Sequence, residues 1–263
     1  MTEKEKEKEK IESLKKELTI VICAYKANSA FTLCLHQLAR YGFTGDNLLI
    51  YENSPTSYVS NRELLTKYNI PFVNNPDGTY YETVERALTE VKTKYMLLLD
   101  SDCFCIRNPV EYLDRIKSHK ITLFGEIMGN RVGFHIHKRV HPWWCIIDVD
   151  FIRKHKIQFC DMERMKATNS ISFIDRAQLG NDRNAKGYYY DAGSTMYEDV
   201  LLAGGVAADI GDVYPYIHVE GASWRHDFEK FKEEAVRTDN WIKLLYEKLQ
   251  FEEKYLALLK KQG

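Results

Sequence analysis

Two aspartates separated by one residue follow an apolar run near the middle of the chain. The run YMLLL, residues 95–99, leads directly into Asp100, Ser101 and Asp102. In an extended segment residues i and i+2 point to the same side, and two neighbouring carboxylates are costly unless a cation lies beside them. Mg²⁺ and Mn²⁺ prefer oxygen ligands and complete their coordination with water and phosphate oxygens. The pattern therefore predicts a metal-bridged diphosphate; the alternative is a turn whose aspartates cap backbone amides.

Four predicted strands, separated by helical patterns, position these aspartates. The segments are LTIVICAY (18–25), NLLIYENSP (47–55), IPFVNNPDG (70–78) and KYMLLLD (94–100). Apolar strands that alternate with amphipathic helices predict an α/β fold with a mostly parallel central sheet flanked by helices. Ligands of such sheets bind beyond the carboxyl ends of the strands. The candidate positions are therefore Tyr25–Lys26, Glu52–Asn53, Asn75–Asp77 and Asp100–Asp102.

The same four segments resemble a known group of enzymes. In this order, TIVICAYKAN, LLIYENSP, VNNPDG and YMLLLDSD are similar to the nucleotide-binding half of GT-A glycosyltransferases, and among them to the family-2-like inverting enzymes. The resemblance is good over residues 18–108 and looser beyond them. It implies a GT-A, Rossmann-like sheet, a UDP-, GDP- or dTDP-sugar as donor, and Mn²⁺ or Mg²⁺ as cofactor. The activity that it implies is transfer of a hexosyl or deoxyhexosyl group to a hydroxyl of a glycan or another acceptor.

The resemblance also implies roles by position. The first two strand ends would supply the nucleotide pocket, with Ala24 and Tyr25 along the nucleotide and Glu52 at the ribose or base. The fourth would place Asp100 near the ribose or donor sugar and Asp102 on the metal. The full set of predicted donor-binding residues is Ala24, Tyr25, Glu52, Asn53, Asn75, Asp100 and Ser101. The second strand ends in ENSP where the family commonly has a D-N-G-S-like run, which leaves the nucleotide open.

The catalytic base is predicted in the second half of the chain. Inverting transfer needs a carboxylate or histidine that takes the proton of the acceptor hydroxyl. In the related enzymes this base usually starts a helix that ends at a glycine, and Asp191 opens such a predicted helix, DAGSTMYEDVLLAGG. Asp199 is the alternative, because Glu198 and Asp199 match the family's E-D letters. About 12 Å of helix would separate Asp191 from Asp199, so only one of them can serve a single proton site.

A histidine on a late predicted strand is the candidate third metal ligand. His218 lies in YIHVEGASW, residues 216–224, and some GT-A enzymes use a late histidine in this role. Imidazole nitrogen is an acceptable ligand of Mn²⁺. We therefore predict that Asp102 and His218 hold the metal. His226 is the fallback ligand, and the remaining alternative for His218 is a buried histidine with a satisfied hydrogen bond.

The segment FHIHKRVHPWW, residues 134–144, carries groups that could face a sugar. Aromatic rings stack on pyranose faces, and the arginine and histidines could bond hydroxyls. His135 and His137 are two residues apart, but no nearby carboxylate or cysteine completes a metal site. Trp143 and Trp144 are adjacent, so on a strand one would face the core and the other the acceptor groove.

Charged helical segments flank the central domain in the predicted organisation. The divisions are a helical extension over 1–17, a GT-A domain over 18–226 with a donor half (18–108) and an acceptor half (109–226), and a helical segment over 227–263. The last segment has amphipathic spacing, so it would close the structure or pair two copies of the chain. Residues 159–187 are polar and irregular and predict a mobile loop.

Composition excludes several other classes. The net charge is −1 and the pI about 6.7, so the chain lacks the basic field of a nucleic-acid-binding protein. It has neither a run of about 20 apolar residues, which a transmembrane helix needs, nor the apolar core of a secretory signal. The six cysteines form no metal-like pattern and are interpreted as reduced thiols. These features favour a soluble, cytoplasmic protein.

Two other functions remain open on the sequence. A nucleotidyltransferase that acts on sugar phosphates can also place two aspartates at a strand end. Such enzymes usually carry a glycine-rich, basic loop after the first strand, and CAYKANSA, residues 23–30, has no glycine. A non-catalytic nucleotide-sugar-binding protein would keep the pocket and lack the metal site or the base.

Overall fold

The computed structural model describes residues 2–76, 78–128, 137–167, 190–223 and 225–261. The strands within these residues are β1 Leu18–Ala24, β2 Leu48–Glu52, β3 Val73–Asn74, β4 Tyr95–Asp100, β5 Cys103–Cys105, β6 Leu123–Met128, β7 Arg139–Asp148, β8 Ala207–Asp209 and β9 Tyr216–His218. The α-helices are α1 Glu3–Lys15, α2 Asn28–Arg40, α3 Ser60–Lys67, α4 Tyr80–Glu90, α5 Leu113–Ser118, α6 Val149–His155, α7 Met162–Ala167, α8 Ser194–Leu202 and α9 Lys232–Lys248.

Seven of the strands form one central sheet in the order β3-β2-β1-β4-β7-β6-β8. All neighbouring pairs are parallel except the two that include β7, which runs antiparallel to β4 and β6. Strands β5 and β9 form a separate antiparallel ribbon. The α/β class and the mostly parallel sheet flanked by helices, which the resemblance to GT-A enzymes implies, are therefore confirmed.

The apolar runs read from the sequence are buried on both faces of the sheet. Along β4, Leu97 and Leu99 belong to one core cluster, whereas Met96 and Leu98 belong to the other. This alternation follows from the two-residue period of a strand, because successive side chains point to opposite faces. A strand covered on both faces has no polar position until it ends, so its first carboxylate, Asp100, marks the edge of the sheet.

The register aligns the carboxyl ends of the first strands. Ala24 pairs with Glu52, and Cys23 pairs with Asp100. Strand β7 runs the other way, and Trp144 is opposite Leu99. The residues at the beginning of β7 therefore extend past the end of β4, at the same edge as the strand ends.

Two segments differ from the sequence-based expectation. Helix α8 begins at Ser194, three residues after Asp191, because Gly193 at the helix start has φ +79° and cannot belong to a right-handed helix. Within the predicted loop over 159–187, Met162–Ala167 form helix α7, and residues 168–189 lie outside the described part. All six cysteines are buried and free of disulfide bonds. None of the helices in the described ranges has the length and apolar content needed to cross a bilayer.

The C-terminal segment packs on α2. Ile242 and Leu245 of α9, with Leu256 and Leu259 of the following 3-10 helix, are buried in the same core cluster as β1.

The fully buried His36 of α2 receives a hydrogen bond from the Glu252 backbone amide to its Nε2, at 3.0 Å. His36 must be neutral to accept this bond. Burial is the main cause that lowers its pKa from 6.5 to about 4.

The free energy of unfolding is therefore expected to fall between pH 6.5 and pH 4. In this window His36 takes up a proton in the unfolded chain but not in the folded chain. The contribution of His36 to the free energy of unfolding is therefore fully present above pH 6.5 and decreases as the pH approaches 4. The full difference is about 3 kcal/mol. Urea unfolding at a series of pH values would measure it. His36→Gln should flatten this part of the profile, and His119→Gln, an exposed control, should leave it unchanged.

Candidate active site

Three ligand-type side chains converge at the carboxyl end of β4. Asp100, Asp102 and His218 each bring one ligand atom to within 4.8 Å of the other two. Strand pairing creates this cluster, because Cys103 of β5 is opposite His218 of β9 and the Val219 amide donates to the Asp102 carbonyl at 2.9 Å. The His218 Nε2 is 3.4 Å from Asp102 Oδ1. The structure thus brings together the two aspartates and the late histidine that the sequence singled out.

The electrostatics of the cluster fit a divalent cation. Burial, and next the charge of Asp102, raise the pKa of Asp100 from 3.8 to about 7, while His218 and Arg139 act in the opposite direction. Two carboxylates in a buried site disfavour each other's charge unless a cation offsets it. Carboxylate oxygens with one imidazole nitrogen form a donor set that suits Mn²⁺ or Mg²⁺. Because Asp100 belongs to the cluster, it is a possible ligand beside the two predicted ones.

A layer of side chains from β7 continues from His218. The rings of Trp143 and His218 stack with 3.8 Å between centroids, and those of His141 and Trp143 are 3.4 Å apart. Arg139 donates through Nη2 to His141 Nε2 at 3.1 Å. Arg139, His141 and Trp143 are spaced by two residues, so they share one face of the strand. Trp144 is fully buried in the core, as predicted for one residue of the pair, and the partly buried Trp143 packs against the same core cluster.

Arg139 joins this layer to Asp191. Its Nη1 is 2.8 Å from Asp191 Oδ2, and Asp191 Oδ1 accepts a hydrogen bond from the Ala192 amide at 2.7 Å. Both carboxylate oxygens are thereby fixed, and the side chain is mostly buried. The positive charge of Arg139, the partner of Asp191, also acts to lower the pKa of Asp100.

Asp199 lies in a different ionic group on α8. Arg164 of α7 contacts both of its oxygens through Nη2, at 2.8 and 3.0 Å, and Asp161 at 3.2 Å. The neighbouring Glu198 is 2.8 Å from the Nδ1 of His137. Asp191 therefore pairs with Arg139, whose charge acts to lower the pKa of Asp100, whereas Asp199 pairs with Arg164. His135, the other member of the predicted histidine pair, lies outside the described residues.

The loop after β1 is held in an unusual backbone conformation. Lys26 and Ala27 both have positive φ, +50° and +49°, which is rare for residues other than glycine. Two hydrogen bonds hold the backbone of this turn in place. The Lys26 amide donates to Ser54 Oγ at 2.8 Å, and Asn61 Nδ2 donates to the Lys26 carbonyl at 2.9 Å. The side chain of Tyr25 is 36% exposed at the edge of the sheet. A ring held there offers a face on which a base could stack.

Glu52 and the two asparagines form polar networks behind this loop. The Glu52 side chain is fully buried, pairs with Arg62, and accepts from the Ser54 amide at 3.2 Å. Asn75 Nδ2 donates to Asn53 Oδ1 at 2.9 Å. Both asparagines also donate to the hydroxyl of Thr83. Glu52 is therefore engaged by the protein itself, whereas Asn75 is half-buried at the edge.

Arg62→Ala is expected to lower the free energy of unfolding by about 3 kcal/mol or more, because it leaves the buried charge of Glu52 without a partner. Chemical denaturation would measure the loss. Lys67→Ala is the matched control on the same helix: its pair with Glu253 is exposed, so we expect a loss below about 1 kcal/mol. The double variant Glu52→Gln/Arg62→Met should recover part of the stability lost in Arg62→Ala, and no recovery would contradict a buried-charge effect.

Some residues of the site were not predicted. Arg62 and Thr83 give no signal in the sequence, because arginines and threonines are common in helices and their contacts with the preceding strand ends follow no periodic pattern. Arg139 and Trp143 could have been assigned to one face from the spacing R-x-H-x-W, once the strand was placed. The pairing of Arg139 with Asp191 depends on the loop before α8, which no local pattern specifies.

Comparison with known protein families finds no match, and no curated protein matches the chain. Solved structures match at low identity. One is residues 1–349 of S. aureus TarS, with 16% identity, a TM-score of 0.42, and coverage of 71% of this chain and 64% of that protein. Another is the mannosyltransferase PcManGT from Pyrobaculum calidifontis in complex with GDP-Man and Mn²⁺, with 8% identity, a TM-score of 0.38, and coverage of 52% and 46%.

A third match is a putative glucose-1-phosphate thymidylyltransferase from Bacillus anthracis in complex with a sucrose. It has 10% identity and a TM-score of 0.39, and the match covers 71% of this chain and 95% of that protein. The chain thus spans less than two thirds of the TarS fragment and half or less of the mannosyltransferase. At this distance similarity does not identify a substrate, so function has to be inferred from this chain's own residues.

Proposed function

We propose that this protein is a metal-dependent inverting glycosyltransferase that moves a sugar from a nucleotide-sugar donor to a hydroxyl of an acceptor. One observation carries the proposal: Asp100, Asp102 and His218 converge at the carboxyl end of a central strand in a mostly parallel sheet. That is the edge at which α/β sheets bind nucleotides, and a diphosphate at this position needs a counter-charge. The strand ends that carry Ala24 and Glu52 lie at the same edge.

Asp102 and His218, with Asp100 beside them, would hold Mn²⁺ or Mg²⁺. The ion would supply positive charge that stabilises the leaving diphosphate. The chain's own groups supply the rest of the donor site in this proposal. Tyr25 offers an exposed ring to the base, and Asn75 offers its half-buried amide at the edge of the nucleotide pocket. Glu52 serves this pocket through its buried pair with Arg62, which also fixes the loop after β2.

In the proposed reaction the acceptor hydroxyl oxygen forms a bond to the anomeric carbon while the bond from that carbon to the diphosphate oxygen breaks. The leaving nucleoside diphosphate keeps the bonding electron pair, and Asp191 takes the hydroxyl proton. Attack from the face opposite the leaving group inverts the anomeric configuration. Positive charge develops on the sugar ring in the transition state. Asp191 is preferred to Asp199 because its guanidinium partner, Arg139, acts on Asp100.

A thermal-shift screen of UDP-, GDP- and dTDP-sugars with and without Mn²⁺ tests the proposal. A ligand that binds only the folded state raises the melting temperature by mass action, so the true donor should do so in a metal-dependent way. No response to any nucleotide-sugar would contradict the proposal. Release of pyrophosphate from a nucleoside triphosphate and a sugar 1-phosphate would indicate a nucleotidyltransferase instead. Donor binding without turnover on any acceptor would indicate a binding protein.

A further inference from the structure

A cavity of about 390 Å³ opens beside the metal-ligand cluster. One wall is the end of β9 and the turn that follows it, including His218 and Arg225; the other wall is α9, including Arg237 and Trp241. The volume lies within the range of small-molecule sites, about 300–1,000 Å³. Because His218 belongs both to this cavity and to the cluster with Asp102, a ligand in the cavity lies next to the site of transfer.

Trp241 gives the cavity an aromatic wall. Its side chain is 46% exposed, although the next residue, Ile242, is buried in the core. An indole left half in water at the edge of a cavity keeps a free apolar face, against which the C–H face of a sugar ring can pack. Trp241 is thus a second candidate stacking surface, beside the aromatic residues of the segment 134–144.

The charges of the cavity are balanced. Arg225 Nη2 is 3.8 Å from Glu220, and Arg237 Nη2 is 3.6 Å from Glu234. In the two loose pairs N–H donors and carboxylate acceptors lie side by side, and Arg225 also donates through Nη1 to Thr238 Oγ1 at 3.2 Å. A mixed set of this kind suits a neutral, polyhydroxylated ligand. An anionic ligand would approach two carboxylates together with the two arginines, so the charges give it little advantage.

We propose that this cavity binds the acceptor, and that the acceptor is an uncharged saccharide whose ring packs on Trp241 with a hydroxyl directed toward His218. This inference rests on the proposed function, because it assigns the acceptor class of the same reaction. A second copy of the chain is the competing occupant. The large apolar side chains that α9 leaves exposed are Val236, Trp241 and Leu244. Three such side chains are few for a dimer interface, which needs about 800 Å² from each partner.

Saturation-transfer NMR of the full chain with UDP and Mn²⁺ tests the inference. The neutral probes are lactose, cellobiose and methyl N-acetylglucosaminide, and the anionic probes are glucose 6-phosphate and glucuronate. We expect ring protons of at least one neutral probe to receive saturation, and its affinity to fall about tenfold in Trp241→Ala. Trp241→Phe should keep most of the binding. Leu244→Ala is the control, since Leu244 is exposed on the same helix and does not line the cavity.

The outcomes separate this inference from the proposed function. Nucleotide-sugar binding on the same samples, without binding of any neutral saccharide, would overturn the acceptor site and leave the transferase proposal intact. Preferential binding of the anionic probes would overturn the assignment to a neutral acceptor. Sedimentation velocity could show a dimer for the wild type and a monomer for Trp241→Ala. That result would mean that the exposed side of α9 pairs two copies of the chain, and it would also overturn the inference. Absence of both nucleotide-sugar and saccharide binding would reject both proposals.

Discussion

Asp102→Asn is expected to abolish the metal-dependent stabilisation by the donor and to lower kcat/KM for transfer by about 10³-fold. The physical reason is the loss of a carboxylate ligand from a cluster in which Asp100 and His218 alone remain. The counter-charge of a metal ion on a leaving diphosphate is worth several kcal/mol, and about 4 kcal/mol corresponds to 10³ in rate. Calorimetric titration of Mn²⁺ in the presence of the donor, together with initial rates, would measure both effects.

The apo protein separates this metal role from a structural one. If Asp102 only capped a turn, its replacement would cost stability in the absence of metal. Asp102 lies beside a second carboxylate of like charge, so it should contribute little to the stability of the apo protein. Without metal, we expect the free energy of unfolding of Asp102→Asn to lie within about 1 kcal/mol of the wild-type value. Asp212→Asn removes an exposed aspartate and is the control for net charge. Full activity and unchanged metal dependence of Asp102→Asn would contradict the assignment.

The sequence predicts the donor side of the sheet well, for a physical reason. Strands β1 and β4 are buried on both faces, so they read as nearly continuous apolar runs, and in β4 the first polar residue, Asp100, marks the end. Because β1 and β4 pair in parallel, their carboxyl ends lie at the same edge of the sheet. Asp100 and Asp102 were located in this way, and His218 was assigned to them by resemblance. The roles proposed for these residues stay predictions.

The part of the sheet edge formed by β7 is harder to predict, because long-range strand pairing defines it. The antiparallel insertion of β7 between β4 and β6 brings Arg139 and Trp143 to the edge, and nothing in the local sequence specifies strand order. The start of α8 was misplaced because Gly193, a residue with positive φ, ends the loop that carries Asp191. Glu52 was expected to face the ligand, and its pairing with Arg62 was missed because a buried ion pair between neighbouring elements has no periodic signal.

Asp191→Asn is expected to lower kcat by 10²- to 10⁴-fold, the usual contribution of a general base, while the donor Kd changes little. The asparagine carbonyl can still accept hydrogen bonds from Arg139 or the Ala192 amide, so the local structure should persist. Asp191→Ala is a poorer test, since it also leaves the mostly buried guanidinium of Arg139 and the Ala192 amide without a side-chain acceptor and costs about 3–5 kcal/mol of stability. Single-turnover rates at saturating donor would separate the chemical step from binding.

Asp199→Asn is the matched control, because Asp199 is also an aspartate paired with an arginine near α8. Its partner Arg164 keeps Asp161 at 3.2 Å, so the ionic group survives the substitution and kcat should change by less than about tenfold. A large loss in Asp199→Asn with normal turnover of Asp191→Asn would move the base to Asp199. Loss in neither variant would mean that neither carboxylate takes the proton. The comparison separates the two candidates because their carboxylates pair with different arginines, Arg139 for Asp191 and Arg164 for Asp199.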